Sequence, residues 1–157
     1  MTRRGMRADV APTVVAAAAA LVACAEPVTP EPLGDYTTWA RLEVQGPAPG
    51  HGDTYRIIFA NSTATDPAQD FREGYADGAI LVKEIRDPGG GADGADGALR
   101  YIAIMRRMPF ESEVADDGGW LFTQADEPGG AETRPSYCWR RCHAAAPYAG
   151  AWYDYRR

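Results

Sequence analysis

Seven residues near the end of the chain, Tyr137-Cys-Trp-Arg-Arg-Cys-His143, put two thiols and an imidazole within one short segment. In c-type haem attachment, two cysteines form thioethers to the vinyl groups and the histidine after the second ligates iron, with the spacing C-x-x-C-H. Here three residues separate Cys138 from Cys142, one more than that spacing. A wider loop between the sulfurs keeps haem chemistry open, and two other chemistries stand beside it. A Cys138–Cys142 disulfide would join i and i+4 positions of a helix, whose Cβ atoms lie ~5–6 Å apart. A disulfide wants about 3.8 Å, so the helix would have to distort. Zinc would lack a fourth ligand unless His51, the other of the two histidines, joined the cluster.

The compartment bears on that choice. Arg3, Arg4 and Arg7 precede an apolar run from Val10 to Ala23, too short to span a bilayer comfortably. The run ends in Leu21-Val22-Ala23-Cys24, which resembles the bacterial lipobox. That resemblance implies cleavage before Cys24 and lipidation of Cys24; an ordinary secretory peptide followed by a chance cysteine is the alternative. The expected organisation is a signal peptide over 1–23, a Pro-rich tether over 24–33 and one domain over 34–157. Removing Arg3, Arg4, Arg7 and Asp9 from 16 basic and 22 acidic residues leaves 13 and 21, a net charge of −8. A surface this acidic, with no basic cluster, excludes nucleic acid as a partner. The chain is expected on the exported, periplasmic side, anchored to a bacterial membrane through Cys24, with only Cys138 and Cys142 left for chemistry.

The elements that position these residues are read from pattern. Gly34–Val44 reads as a short helix capped by Asp35, and Gln45–Asp53 as a loop. Thr54–Asn61, Ala79–Asp87, Leu99–Met108 and Gly119–Asp126 are β-branched and aromatic, hence four strands. The polar stretch Ser62–Gly78 holds a helical turn or two around Pro67–Tyr75, and Asn61 marks a strand-end turn. Pro88–Ala98 and Glu127–Ser136 read as loops, and Cys138–Ala146 as a helix ended by Pro147. The fold class is therefore α+β: a mainly antiparallel sheet with short helices packed on it and a C-terminal helix bearing the Cys/His motif. Trp39, Phe59, Trp120 and Phe122 are expected in the core.

The order of "GHGDTYRIIFAN", "DGAILVKEIRD", "YIAIM", "GGWLF" and "CWRRCH", over roughly residues 39 to 143, resembles the cytochrome P460 family, which includes the beta-type cytochromes c-prime. The resemblance implies an exported protein, usually dimeric, with one covalent haem c per chain. Cys138 and Cys142 would anchor the haem and His143 would ligate its iron. Lys83 takes the place of the lysine that the hydroxylamine-oxidising members cross-link to haem. Arg56 aligns with a distal-pocket arginine, and Glu132 is the nearest candidate for a distal carboxylate. Strand alternation puts Lys83 with Ala79, Leu81 and Ile85, although Ile80 and Val82 make the other face apolar as well. His51 reads as a loop histidine beside the sheet, and Met105 as core or a sixth ligand. The functions to separate are oxidation of hydroxylamine or nitric oxide with an external electron acceptor, capture of nitric oxide without turnover, electron transfer, and a haem-free lipoprotein with a disulfide.

Overall fold

The computed structural model of the protein describes residues 26–44, 47–48, 50–70, 74–89, 97–109, 111–116 and 118–156. Among them are strands β1 (Glu26–Val28), β2 (Ala40–Val44), β3 (Pro47–Ala48), β4 (Gly52–Asp53), β5 (Tyr55–Ala60), β6 (Ile80–Arg86), β7 (Leu99–Arg107), β8 (Trp120–Ala125) and β9 (Glu132–Arg134). Seven of these form one antiparallel sheet in the order β1-β9-β8-β7-β6-β5-β2, and β3 pairs with β4 in a small ribbon. A four-residue helix, α1 (Cys138–Arg141), and 3-10 turns at Tyr36–Thr38 and His143–Ala145 complete the regular structure. The expected signal peptide, Cys24 and most of the Pro88–Ala98 loop lie outside the described residues.

The four strands read from β-branched composition are present within one residue of the expected bounds. They form the middle of the sheet, and β5 is buried along its whole length. Both faces are covered, and this is why neither face of these strands reads as polar. One face carries Tyr55, Ile57, Phe59, Val82, Ile102, Ile104 and Ala125, under Tyr36 from the first 3-10 turn. The other carries Ala60, Leu81, Met105, Trp120 and Phe122, and packs against Tyr75 and Ala151. Register sets Ile58 beside Lys83 and Lys83 beside Ala103, so Lys83 belongs to the second face.

Several expectations are corrected. Gly34–Val44 is not a helix: Asp35 does cap Thr37, but the turn stops at Thr38 and the chain extends through Trp39 into β2. Pairing of β2 with β5 along five residues overrides the local signal. The supposed loop 127–136 contains β9, and the supposed tether 24–33 contains β1, which pairs with it from Glu26↔Arg134 to Val28↔Glu132. The loop 45–53 contains the β3–β4 ribbon. The segment 62–70 holds turns and no helix among its described residues. The C-terminal helix runs only from Cys138 to Arg141, because Cys142 leaves the helical region at φ −132° and ψ −52°. A helix this short has little stability alone. Its course is set by Trp139, whose ring lies against Gly118 where any Cβ would collide, and by the turn that carries His143 to the sheet.

Two devices lock the layers. Asn61 accepts from the amides of Ala64 and Ile80 and donates to the Gly78 carbonyl, closing the β5 end as the expected turn. On the first face, Arg106 makes a bidentate pair with Glu132, both contacts at 2.7 Å, and reaches the carbonyl of Glu31. Thr123 donates to the same carboxylate. The pair is almost entirely buried, so removing one partner strands the other's charge. Glu132→Ala is expected to cost about 3 kcal/mol, read as a lower urea midpoint, while charge-conserving Glu132→Asp costs less.

Candidate functional site

The second sheet face does not meet the C-terminal segment everywhere. Between them lies a cavity of about 450 Å³. Its sheet wall is made by Arg56 and Ile58 of β5, Leu81 and Lys83 of β6, Tyr101, Ala103 and Met105 of β7, and Phe122 and Gln124 of β8. The loop at Gly50–His51 and the segment with Cys138, Cys142, His143 and Trp152 close the other sides.

His143 is the best-determined member. It is buried, and its Nδ1 lies 2.7 Å from the Gly150 carbonyl, a pure acceptor. That contact requires an N–H at Nδ1 and leaves Nε2 with a lone pair, the arrangement metal-ligating histidines adopt. Burial holds the imidazole neutral to about pH 4; the Gly150 bond opposes that shift and Lys83 adds to it. Phe122 supports the ring at 4.7 Å between centroids.

Gly150 is itself fixed. Tyr148 and Ala151 exchange two backbone hydrogen bonds around Ala149 and Gly150, both at positive φ, as a tight type I′ turn demands. The fully buried Trp120 donates its indole N–H to the Ala149 carbonyl at 2.7 Å. A Cβ on Gly150 would stand 2.9 Å from Trp120 Nε1 and 3.0 Å from Trp139. Farther along, Tyr75 bonds the backbone of Tyr153 and Tyr155, and Arg156 stacks on the Tyr75 ring.

The cysteines stand on either side of the α1 turn and both line the cavity. Neither is in a disulfide. Burial, with Asp116 and Cys142 adding to it, pushes the Cys138 thiol up to about 11, so it stays protonated at neutral pH.

Across the sheet wall runs a hydrogen-bonded chain. Lys83 Nζ lies 2.8 Å from His51 Nε2, and His51 Nδ1 lies 2.7 Å from the Tyr101 hydroxyl. Burial, reinforced by Arg56, brings Lys83 down to about 8, against the opposing pull of the two cysteines. Burial, then Lys83 and Arg56, brings His51 down to about 3, so its ring is neutral. With both nitrogens engaged, His51 cannot complete a zinc site, and among the described residues no group of three His, Cys, Asp or Glu could hold a metal ion.

The family model for cytochrome P460 matches residues 33–151. The chain belongs to the cytochrome P460 family. Membership makes it a haem protein and implies a c-type haem. No curated protein matches it. The residues fit the cofactor of the P460 family: two free thiols and one neutral imidazole of fixed tautomer face a single cavity.

Of the residues expected in the site, Cys138, Cys142, His143, Lys83 and Arg56 line the cavity. Arg56 is buried on the β5 wall. Glu132 is not in the site. It lies on the opposite sheet face with Arg106, and no described residue lining the cavity is a carboxylate. Met105 packs in the core and touches the cavity. Sequence reasoning missed Tyr101 and Gly150 and understated His51. Tyr101 was detectable as the polar member of the stripe Tyr101, Ala103, Met105, and Gly150 as a turn signal after Pro147.

The Gly150 contact gives a direct test. Gly150→Ala places a side chain at φ +93° against Trp120. The expected cost is about 2 kcal/mol or more. Thermal melting reads that cost, and the haem-to-protein ratio, expected to fall, reads the displacement of His143.

Proposed function

We propose that this cytochrome P460-family chain is an exported, lipid-anchored protein with one haem c covalently held by Cys138 and Cys142, and that it oxidises a hydroxylamine-type substrate. The observation that carries the proposal is the shared cavity. It sets the neutral His143, with Nε2 available, beside both thiols and within the same walls as Lys83, His51 and Tyr101. When bound, haem supplies an iron centre that accepts electrons from a small nitrogen ligand and passes them to an external acceptor protein.

The chain's own residues do the rest. His143 holds the iron, with its tautomer set by Gly150. Cys138 and Cys142, both lining the cavity as free thiols, would hold the haem through thioethers to its two vinyl groups. Ile58, Leu81, Ala103 and Phe122 exclude water and make any polar contact in the cavity stronger. Lys83 and Arg56 supply positive charge facing a small polar ligand. Because burial, reinforced by Arg56, lowers its pKa to about 8, the Lys83 ammonium gives a proton up readily, and the amine left behind can accept another. This is the role the sequence assigned to Glu132. The apolar share of the wall favours a second reading, in which nitric oxide, a ligand with no proton to lose, is captured without turnover.

Production of the full chain with c-type maturation machinery is expected to yield haem that stays on the chain through denaturation. Denatured chain free of haem would sink the proposal. Cys24→Ser is expected to release the protein from the membrane fraction. If Lys83 keeps the free amine that bonds His51, the ferrous Soret band stands at the position of ordinary haem c and is unmoved in Lys83→Ala. A red-shifted band that Lys83→Ala returns to normal would instead identify a Lys83–haem cross-link. Reduction of the ferric protein by hydroxylamine, with an acceptor consumed, separates the enzyme from the gas binder.

A further inference from the structure

We propose that Lys83, His51 and Tyr101 form a proton conduit that strips the proton from a protic ligand in the cavity and delivers it to the rim. The inference rests on the haem reading above and names the proton path for that site. Its basis is contiguity: a lysine on the cavity wall, an imidazole bonded through both nitrogens, and a phenol, joined at 2.8 and 2.7 Å. The three come from the middle of β6, the loop before β5, and β7. Tyr101 is partly buried and lies near Tyr137, which lines the same cavity and is half-exposed to solvent. The chain thus leads from a buried wall toward water.

Each member can both give and take a proton. The Lys83 ammonium passes a proton to His51 Nε2 as His51 gives its Nδ1 proton to Tyr101, whose own O–H proton goes to water, and the amine left on Lys83 takes the proton of the ligand. One proton enters and one leaves, and no electron moves. The buried imidazole is a poor base, held neutral to about pH 3, so both shifts at His51 occur together rather than through an imidazolium. The charged and titratable groups facing Lys83 are Arg56 from β5, His51 from the loop, and Cys138, Cys142 and His143 from the C-terminal segment. None of them is a carboxylate that could take the proton instead.

The test compares two ligands of the haem-loaded protein. Hydrogen cyanide must lose a proton when it binds the ferric form, whereas carbon monoxide binding to the ferrous form involves none. His51→Gln keeps hydrogen-bonding capacity toward Lys83 and Tyr101 but cannot pass a proton through. Tyr101→Phe keeps the Lys83–His51 bond and removes the last carrier. At pH 7 both variants are expected to slow cyanide association by ~10-fold or more, within the usual range for lost proton transfer, and to leave carbon monoxide association within about 2-fold. Cyanide association at the wild-type rate in either variant would overturn the conduit. So would an equal slowing of carbon monoxide, which would mark a structural role. Cyanide behaviour as expected, in a protein that hydroxylamine fails to reduce, would retain the conduit and reject the substrate proposed above.

Discussion

The site depends on one hydrogen bond, from His143 Nδ1 to the carbonyl of Gly150. Everything that fixes that carbonyl fixes the imidazole. The Tyr148–Ala151 turn places it, Trp120 pins the turn through the neighbouring carbonyl of Ala149, and the absence of a side chain on Gly150 lets two tryptophans close around it. Trp120 is the first residue of a central strand and fully buried. Its rigidity is therefore that of the sheet. A buried histidine on a short, irregular segment thus acquires the precision of a strand. The helix around it does not need to be long, because the sheet supplies the order that a longer helix would have supplied.

Clamping and cavity come from the same segment. The chain after α1 is held to the sheet at the 149–150 turn and again where Tyr75 and Arg156 meet the backbone and side chains of 153–156. Between those points and the strand β6 wall the two layers stay apart. What faces the gap is an apolar surface with a few nitrogens set into it. Burial, with the positive charge of Lys83 adding to it at both rings and that of Arg56 at His51, explains why both histidines resist protonation. The low polarity that makes His143 a neutral ligand also lowers Lys83. One environment therefore suits both roles proposed for these residues, iron ligand for His143 and proton carrier for Lys83, without requiring a carboxylate.

The sequence carried the central strands well, because Tyr55–Ala60, Ile80–Arg86, Leu99–Arg107 and Trp120–Ala125 are made of residues that suit a buried sheet. Cys138, Cys142 and His143 stood out for a different reason, their order along the chain, and the structure sets all three on the wall of one cavity. What the sequence carried poorly was decided by partners far away. Ala40–Val44 has Leu42 and Trp39 at a helical spacing, yet five pairings with β5 make it a strand. Glu132–Arg134 sits between Gly-Gly and Pro, where only its pairing with β8 and β1 makes it one. The helix expected through Ala146 ends at Arg141 because His143 must turn toward Gly150, a contact that no local pattern announces.

Glu132 and His51 show the same limit from opposite sides. Glu132 precedes Cys138 by a short stretch, so proximity along the chain suggested a shared site. The deciding fact is instead the parity of the strand it meets. Arg106 and Thr123 point to the face that carries Ile102 and Ile104, one residue out of phase with Met105 and Phe122, and Glu132 follows them. A shift of a single residue exchanges the faces of a strand, and so separates a structural carboxylate from a catalytic one. His51 lies far from the motif in sequence, in a loop with no chemical signature. The antiparallel register brings Lys83 beside it and places Tyr101 within reach on the next strand. Chain proximity favoured Glu132, which the sheet sets on the opposite face, while His51, read as a loop histidine, stands on the cavity wall.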